Sequence, residues 1–217
     1  MTTNIQITED GSHTLYSEQF DEHYHSIHGA IQESMHVYIN AGLKHCELTK
    51  INVFEVGFGS GLNALLTCIE ASKLNLDITY YSIELYPIKK SIIDNLNYVE
   101  LTSDDKYIFS AIHTASWNKI VEITSNFRIV KIIGDLNNYN FTENFDVIYF
   151  DAFSPDKQPY LWTEEVFKKL YDYLNLKGII TTYCSKGIVK RALRSAGFIV
   201  KRLPGPPGKW EMLRAIK

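Results

Sequence analysis

The sequence is poor in cysteine, and its cysteines are isolated from one another. Cys46, Cys68 and Cys184 are the only three in 217 residues, and they form neither a CxxC pair nor the spacing of a zinc site. A chain of this length buries a sizeable core without disulfides or a metal. The composition therefore predicts reduced, mostly buried thiols, no metal ligands and a cytoplasmic protein.

Long hydrophobic runs are absent as well. No apolar stretch reaches the roughly 18 residues that a membrane-spanning helix requires. The N-terminal residues, MTTNIQITEDGSH, are polar and acidic, whereas a signal peptide begins with basic and then apolar residues. We therefore expect a soluble protein with no membrane partner and no secretory signal.

Excess positive charge is also missing, because the net charge is −3. Taken alone, this value argues against a generic nucleic-acid binder. The distribution is uneven, however, since residues 186–217 contain nine basic residues and one acidic residue. A regional excess of this kind indicates a polyanionic partner. A solvated surface helix followed by charged strand ends explains it equally well.

From about residue 46 onward, short β-branched apolar runs alternate with segments of helical periodicity. Strands are predicted at 51–57, 78–84, 128–135, 146–151, 178–184, 197–203 and 211–217. Helices are predicted at 62–73, 87–98, 163–174 and 186–197, with one or two short helices within 100–127. This alternation predicts a doubly wound, mostly parallel α/β sheet of seven strands. Because a short Gly/Pro loop joins the last two strands, one edge strand should be reversed.

Residues 1–45 differ in character from the alternating region. The turn-forming sequence Asp10-Gly11-Ser12 separates two short extended stretches, which predicts a hairpin. Residues 30–43 carry apolar side chains near helical spacing and predict one helix. We therefore expect a single-domain chain in which an N-terminal accessory hairpin and helix (1–45) pack on a core domain (46–217).

The segment from Glu55 to Gly61, EVGFGSG, lies between a predicted strand and a predicted helix. Its glycines at 57, 59 and 61 permit unusual backbone angles and the close approach of a ligand. The free N–H groups at the helix start favour a ligand rich in acceptors. A GxGxG pattern is weak by itself, since it also fits an empty turn or a dinucleotide site. Glu55 argues against a pyrophosphate, which a carboxylate would repel, and favours a cationic amino-acid group.

Three further acids end strands that should lie beside the glycine loop. Glu84 ends the second core strand, where a carboxylate can accept hydrogen bonds from both hydroxyls of a ribose. Asp135, one crossover later, can accept from an adenine amino group. Asp151 lies next to an aromatic residue and a proline, and it can orient or deprotonate a nucleophile. Glu84 and Asp135 are otherwise ordinary strand-end carboxylates, and Asp151 is otherwise a helix cap or turn former. With the glycine loop, Glu84 and Asp135 favour S-adenosylmethionine as the ligand.

These residues together resemble the class I (Rossmann-like) methyltransferases, and more specifically the MnmC-type tRNA methyltransferase domain. The glycine loop is shared by the whole superfamily, whereas the N-terminal and Asp151 segments are much more specific. The likeness covers nearly the whole chain. Its motifs are TEDGSHTLY (8–16), EHYHS (22–26), Gly29-Ala30, Glu33-Ser34, HVY (36–38), EVGFGSGLN (55–63), DAFSP (151–155), Pro159 with LWT (161–163), and KWEML (209–213).

The resemblance implies S-adenosyl-L-methionine as the cofactor of a methyltransferase domain at 46–217. The implied cofactor-binding residues are Glu55, Gly57, Gly59, Gly61, Asn63, Glu84 and Asp135, with Tyr24, Ser26 and Glu33 in the pocket wall. Asp151 would be the catalytic residue, which first positions a substrate amine and secondarily accepts its proton. Phe153, Pro155 and Trp162 follow Asp151 closely and are the expected substrate contacts, although packing of each aromatic ring against the neighbouring helix explains its position at least as well.

The activity implied by the resemblance is methylation of the 5-aminomethyl group on the wobble uridine of certain tRNAs. The partner would be the anticodon loop of tRNA, whose bases can be splayed out and stacked on aromatic side chains. The bifunctional form of the family adds a flavin-dependent oxidase domain. Because no second nucleotide-binding fingerprint occurs in this sequence, we expect the stand-alone methyltransferase form and a separate oxidase that supplies the substrate.

One departure from the family pattern is Trp210, where a basic residue is expected. Its ring either stacks on a base or, as we slightly favour, covers the sheet edge. Two other functions remain open. An aminopropyltransferase of the spermidine-synthase type, or a small-molecule amine N-methyltransferase, would share the fold, although Leu62-Asn63 stands where the former should have a further acid. A non-catalytic RNA-binding module is less consistent with the intact acids at 55, 84 and 151.

Overall fold

The computed structural model describes residues 3–102 and 106–217, which form two β-sheets. The N-terminal sheet has three strands: β1 (Thr3–Ile7), β2 (His13–Ser17) and β3 (Glu22–His23). The large sheet has eight: β4 (Lys50–Val56), β5 (Asp77–Glu84), β6 (Ile120–Thr124), β7 (Phe127–Ile133), β8 (Phe145–Phe150), β9 (Leu174–Thr182), β10 (Ile199–Pro204) and β11 (Glu211–Ile216). Every predicted core strand is present, with bounds close to those expected.

Seven α-helices lie between these strands in the described residues. They are α1 (Ala30–Ser34), α2 (Leu62–Leu74), α3 (Lys90–Ile93), α4 (Tyr98–Thr102), α5 (Lys106–Thr114), α6 (Glu164–Tyr173) and α7 (Gly187–Ser195). A π-helical turn (Met35–Asn40) continues α1, and short 3-10 turns occur at Leu43–His45 and Pro159–Leu161. Across residues 3–102 and 106–217, no helix has the length and apolar character to cross a membrane.

The strand order of the large sheet is β10-β11-β9-β8-β4-β5-β7-β6. The five central strands, from β9 to β7, run parallel, and β11 is antiparallel to both of its neighbours. The predicted mostly parallel sheet with a reversed strand near one edge is therefore confirmed. The reversed strand lies one position inside the edge, because β10 flanks it.

The strand β6 is an eighth member of the sheet, where we expected only short helices within 100–127. It pairs antiparallel with β7 through a tight turn at Ser125 and Asn126. Asn126 stabilises this turn, since its Oδ1 accepts from Thr124 Oγ1 at 2.9 Å and its Nδ2 donates to Leu76 O at 2.9 Å. A short edge strand with partly exposed side chains lacks the apolar signature of the central strands, and the sequence therefore did not reveal it.

The prediction of one continuous helix from Pro87 to residue 98 is wrong. The chain instead forms the short helices α3 and α4, separated by residues 94–97. Asn97 accepts from His13 N at 2.8 Å and donates to Gly11 O at 2.9 Å through its side chain. These contacts with the N-terminal hairpin hold Asn97 outside a helix, and a tertiary contact of this kind overrides local propensity.

Side chains from alternate strand positions build two apolar clusters, one on each face of the large sheet. One face, which includes Val53 and Tyr149, packs against α2, α5 and the N-terminal segment. The other face, which includes Phe54 and Ile148, packs against α6 and α7. Helices therefore cover both faces, which confirms the doubly wound α/β architecture.

The predicted N-terminal hairpin is present, with β1 and β2 paired in antiparallel register. Asp10 fixes it to α1, because its Oδ1 accepts from Ser12 N at 2.9 Å and its Oδ2 from Gln32 N at 3.0 Å. Gly29 lies so close that an added Cβ would be 2.7 Å from Asp10 Oδ2. The single helix expected at 30–43 is instead α1 followed by the π-helical turn.

The N-cap of α6 offers a direct test of local stabilisation. Thr163 Oγ1 accepts from Val166 N at 3.3 Å at the start of a helix that buries Phe167 and Leu170. Thr163→Ala should lower the free energy of unfolding by about 1 kcal/mol, and Thr163→Ser should retain most of it. Urea denaturation followed by circular dichroism measures both changes. Equal stability of the alanine variant and the wild type would contradict the assignment.

Candidate active site

A cavity of about 160 Å³ opens at the carboxyl ends of β4, β5, β7 and β8. The strand ends and the glycine loop form its floor, the N-terminal segment forms one wall, and Lys209 reaches it from the loop between β10 and β11. The predicted site residues on its surface are Tyr24, Ser26, Glu33, Gly57, Gly59, Asn63, Glu84, Asp135, Asp151 and Phe153. Four other predicted residues, Glu55, Gly61, Pro155 and Trp162, lie outside the lining.

The glycine loop brings bare backbone to the cavity floor. Gly57 has a φ of +92°, and an added Cβ would lie 2.6 Å from Asp151 O. Gly59 has a φ of +49°, with the Tyr24 ring 3.1 Å from the position of its missing Cβ. Only glycine fits both the backbone angle and the space at Gly57. The two glycines thus allow Asp151 and Tyr24 to pack directly against the main chain of the loop at the cavity floor.

Gly61 has a different role from the other two glycines. Its φ is +75°, and an added Cβ would meet His113 Nε2 at 2.7 Å, behind the loop. Its carbonyl accepts from Leu65 N at 3.0 Å and so begins α2. Gly61 therefore shapes the turn into the helix.

One amide joins two carboxyl groups at the cavity floor. Asn63 Nδ2 donates to Glu55 Oε1 at 3.0 Å and to Asp151 Oδ2 at 2.8 Å. Glu55 is fully buried, and its Oε2 accepts from Ser82 Oγ at 2.6 Å. Burial raises the pKa of Glu55 to about 8, and the charge of Asp151 adds to this rise. Glu55 is therefore largely protonated at neutral pH in the ligand-free protein.

Asp151 receives a second donor from the N-terminal segment. Tyr38 OH donates to Asp151 Oδ1 at 2.6 Å. Burial raises the pKa of Asp151 to about 7 and Glu33 adds to the rise, while the hydrogen bonds and Lys209 oppose it. An acid whose pKa lies near the working pH can both accept and release a proton at low cost. Asp151 is therefore suited to hold an amine and to take a proton from it.

Glu84 and Asp135 follow one another around the rim, at the ends of the neighbouring strands β5 and β7. Glu84 Oε2 accepts from Gly59 N at 3.0 Å, and its Oε1 accepts from Tyr86 N at 2.8 Å. Burial raises the pKa of Glu84. Asp135 Oδ1 accepts from Asn137 N at 2.9 Å. Both carboxyl groups are held by backbone donors on the cavity wall, where they can accept from a ligand.

The N-terminal wall is centred on Glu33, which is only 4% exposed. Its Oε2 accepts from Ser26 N at 2.7 Å, and its Oε1 forms an ion pair with Lys209. The Lys209 ammonium also lies 4.0 Å from the centre of the Tyr183 ring. Residues from both ends of the chain therefore close the same side of the cavity.

The predicted substrate contacts fall into two groups. Phe153 lies on the cavity wall and stacks on Phe20, with 4.5 Å between ring centroids. Trp162 is only 2% exposed, and its Nε1 donates to Phe153 O at 2.8 Å. Pro155 is likewise buried away from the cavity. We therefore revise both expectations: Trp162 fixes the backbone beside Phe153, and neither Trp162 nor Pro155 faces the cavity.

Several residues of the site escaped the sequence analysis: Tyr183 and Lys209 line the cavity, and Tyr38 contacts Asp151 from outside the lining. Tyr38 and Lys209 lie in the motifs HVY and KWEML, so the family resemblance marked their segments without giving their roles. Tyr183 follows β9, and its OH donates to Ala152 O at 2.9 Å. Its position one strand beyond Asp151, at the same sheet edge, was the available signal.

Trp210 does not cover the sheet edge, contrary to the interpretation that we slightly favoured. The residue is 93% exposed in the loop between β10 and β11. Its carbonyl accepts from Gly205 N at 3.1 Å, so backbone contacts close the loop without help from the ring. The stacking interpretation is the one that this position leaves open.

A second cavity, of about 670 Å³, lies behind the glycine loop and shares Phe58 and Gly59 with the first. Lys131 is buried there between the rings of Phe58 and Trp117 and donates to His113 O at 2.7 Å. Burial lowers the pKa of Lys131 to about 8. This second cavity is the larger of the two, but none of the strand-end acids in the described part of the chain lines it. The smaller cavity is therefore the candidate active site.

Comparison with known proteins identifies the family. Residues 107–217 match the family described as S-adenosyl-L-methionine-dependent methyltransferase. The chain belongs to this family. The bifunctional tRNA 5-methylaminomethyl-2-thiouridine biosynthesis protein MnmC of Pseudomonas syringae pv. syringae is 28% identical over 99% of this chain, and that of Campylobacter fetus is 29% identical over 93%. The chain spans 34% of the length of each of these relatives.

Solved structures support the same assignment. The crystal structure of MNMC2 from Aquifex aeolicus matches with a TM-score of 0.80 and 25% identity, over 99% of this chain and 69% of that one. The resemblance to MnmC-type methyltransferases is thereby confirmed. Spermidine synthase from Thermotoga maritima matches with a TM-score of 0.58 and 17% identity, over 100% and 72% of the two chains, and shares the fold.

The residues present fit the methyl donor of this family. Gly57 and Gly59 both line the cavity, where they present main chain without a side chain. Asn63 Oδ1 is buried and has no hydrogen-bond partner among the described residues, so it can accept from an ammonium group. The acids around the floor and rim suit a ligand that carries positive charge and several hydroxyl and amino donors.

Binding of the methyl donor should release protons from the buried carboxyl groups. A nearby positive charge favours the ionised form of a carboxyl group. Since the pKa of Glu55 is about 8 and that of Asp151 is about 7, both hold part of a proton near neutral pH that a bound cation would expel. Calorimetric titration with S-adenosylmethionine should therefore give different apparent enthalpies in phosphate and in Tris.

The variant Glu55→Gln identifies the source of these protons. Glutamine keeps the size of Glu55 but has no titratable proton, so the difference between the two buffers should shrink. The exposed Glu143→Gln serves as the matched control and should behave like the wild type. If Glu55→Gln releases as many protons as the wild type, Glu55 is not protonated in the ligand-free protein.

Proposed function

We propose that this protein transfers the methyl group of S-adenosylmethionine to the primary amine of 5-aminomethyl(-2-thio)uridine at the wobble position of tRNA. The observation that carries the proposal is Asp151, whose two oxygens accept from Tyr38 and Asn63 at one end of a cavity built from the methyltransferase fold. The names of the relatives, which are tRNA 5-methylaminomethyl-2-thiouridine biosynthesis proteins, support this substrate.

The proposed cofactor site runs along the floor from Asp135 to Asn63. Glu84 accepts from the ribose hydroxyls, and Asp135 accepts from the adenine amino group. Asn63 contacts the cationic amino-acid end directly. Glu55 acts on that end indirectly, through its hydrogen bond with the Asn63 amide. Tyr24, Ser26 and Glu33 close the opposite wall.

The substrate amine presents the main energetic problem. A primary alkyl amine with a lysine-like pKa near 10.4 is protonated at pH 7, and freeing its lone pair costs about 4–5 kcal/mol. Bound S-adenosylmethionine supplies a methyl group that is already a strong electrophile, so the protein mainly orients and desolvates the reactants. Asp151 first positions the amine by accepting a hydrogen bond from its N–H. Because its pKa is about 7, Asp151 can secondarily take up the proton of the amine.

The proposed RNA contacts surround the cavity. Phe153 and the half-exposed Tyr160 present rings at the lining, on which an extruded base can stack. Trp210 presents a further exposed ring. On α7, the basic side chains Lys190, Arg191 and Arg194 form no ion pair with any described residue, which suits contacts with phosphate groups. We also propose a cytoplasmic location, because tRNA is the proposed substrate.

The substrate amine has to be produced by another reaction. We propose that a separate oxidase, which is not part of these 217 residues, removes a carboxymethyl group and so produces the aminomethyl substrate. An aminopropyltransferase or a small-molecule amine methyltransferase is not favoured, because the likeness to spermidine synthase extends only to the fold.

Methylation of undermodified tRNA tests the proposed function. Incubation with labelled S-adenosylmethionine should place the label on 5-methylaminomethyl(-2-thio)uridine, which mass spectrometry of digested tRNA identifies. Putrescine and other small amines serve as competing acceptors and should not be labelled. Label on protein or small amines, and never on the wobble uridine, would contradict the proposal.

Asp151→Asn separates catalysis from cofactor binding. Asparagine keeps the shape of the side chain but cannot take up a proton, so kcat should fall on the order of 100-fold or more. The Kd for S-adenosylmethionine should change far less, as calorimetry can measure. The control is Asp156→Asn in the same loop, an exposed residue that pairs with Lys186. Equal losses of turnover and affinity would reduce Asp151 to a binding residue.

A further inference from the structure

The loop between β10 and β11 is fastened to the N-terminal segment at three points. His36 Nε2 donates to Pro204 O at 2.8 Å. Gly208 approaches the His28 ring so closely that an added Cβ would overlap it. Lys209 completes the contact through its ion pair with Glu33, a residue 176 positions earlier in the chain. The loop is thereby closed over the side of the cavity that contains Asp151.

Glu33 differs from the other carboxyl groups on the cavity wall because, besides accepting from Ser26 N, it pairs with a cation. Glu84 and Asp135 accept from backbone N–H groups, and Glu22 accepts from Ser154 N at 3.0 Å. Asp151 accepts from two neutral side chains. In the described part of the chain, Glu33 is the one acid on this wall that is paired with a cation, and its side chain is only 6% exposed.

An unpaired Glu33 would interfere with catalysis in two ways. Its carboxylate would compete with Asp151 for the incoming ammonium group of the substrate. Its charge would also act on Asp151 directly, since Glu33 raises the pKa of Asp151 and Lys209 lowers it. The Lys209 ammonium, which lies against the Tyr183 ring, pairs with Glu33 and offsets part of both effects.

We infer that Lys209 is a positioning residue, which neutralises Glu33 and closes the loop so that Asp151 is the carboxylate left to receive the substrate amine. The inference rests on the proposed function. The covalent step is unchanged: the amine nitrogen forms the new bond to carbon, the sulfur–carbon bond breaks with its electron pair left on sulfur, and one proton leaves the nitrogen.

The remaining charged and titratable groups around Asp151 do not substitute for Lys209. They are Glu33 from α1, Tyr38 from the π-helical turn, Glu55 from β4, Tyr80 from β5 and Tyr183 after β9. Burial raises the pKa of each of these tyrosines, so all three are neutral at working pH. Of the groups named, Lys209 is the one cation.

The pH dependence of kcat/KM for tRNA methylation tests this role. Activity requires ionised Asp151, so its acid limb reports the pKa of that group. Lys209→Met leaves Glu33 uncompensated and should move the limb to higher pH by about one unit. At a pH below the limb, this corresponds to about a tenfold loss of rate. Glu33→Gln removes the repelling charge and should move the limb to lower pH.

Two further variants separate charge from loop closure and from folding. Removal of one partner of a buried ion pair is destabilising, whereas Glu33→Gln combined with Lys209→Met leaves no unpaired charge and should return the limb close to that of the wild type. Lys209→Arg keeps the cation and should also preserve the profile. The exposed Lys119→Met removes the same charge elsewhere and serves as the control.

A readout without tRNA keeps this test independent of the proposed function. The pKa of the Asp151 carboxyl group, followed by ¹³C NMR in the tRNA-free protein, should shift in the same directions in both single variants. If the wild type does not methylate tRNA but these shifts occur, the charge effect of Lys209 is supported and the proposed substrate is overturned. If the titration of Asp151 and the acid limb stay in place in both single variants, the role of Lys209 is overturned, even where KM has risen.

Discussion

The active-site cavity depends on the side-chain amide of Asn63, which joins the carboxyl groups of Glu55 and Asp151. Glu55 lies in β4 and Asp151 directly follows the neighbouring parallel strand β8, so the amide connects the sheet at the edge where the ligand is proposed to bind. Burial makes both acids difficult to ionise, and Asn63 adds hydrogen bonds without adding charge. None of these three residues carries a positive charge, and the nearby Lys209 ammonium is already paired with Glu33. This is the electrostatic environment that a cationic methyl donor and an ammonium substrate require.

Several remote constraints keep this network in place. Gly57 allows the end of β8 to pass within contact distance of the glycine loop, and any side chain there would displace Asp151. Tyr38 and Lys209 approach the same carboxyl group from opposite ends of the chain. The N-terminal segment thus completes the cavity as much as the sheet does, and the loop between β10 and β11 seals the junction through the ion pair with Glu33.

Features that follow from local sequence patterns were predicted, whereas features that depend on contacts between distant residues were not. Alternating apolar and amphipathic segments predicted the parallel sheet, and the acids at strand ends predicted that Glu84, Asp135 and Asp151 would meet at one edge. The break between α3 and α4 arises from a hydrogen bond between Asn97 and His13, 84 residues apart, which no local propensity encodes. The contact from Tyr38 to Asp151 spans 113 residues and was missed for the same reason. Trp162 was assigned to the substrate because it follows Asp151 closely, but its ring turns into the core.

The most direct test of the account is the crystal structure of the protein with bound S-adenosylhomocysteine. We expect the adenosyl group between Glu84 and Asp135, the amino-acid end beside Asn63, and the sulfur atom directed toward Asp151 across the bare backbone of Gly57. Binding instead in the larger cavity behind Phe58, next to Trp117 and Lys131, would contradict the central claim that the carboxyl network at the sheet edge is the methyl-transfer site.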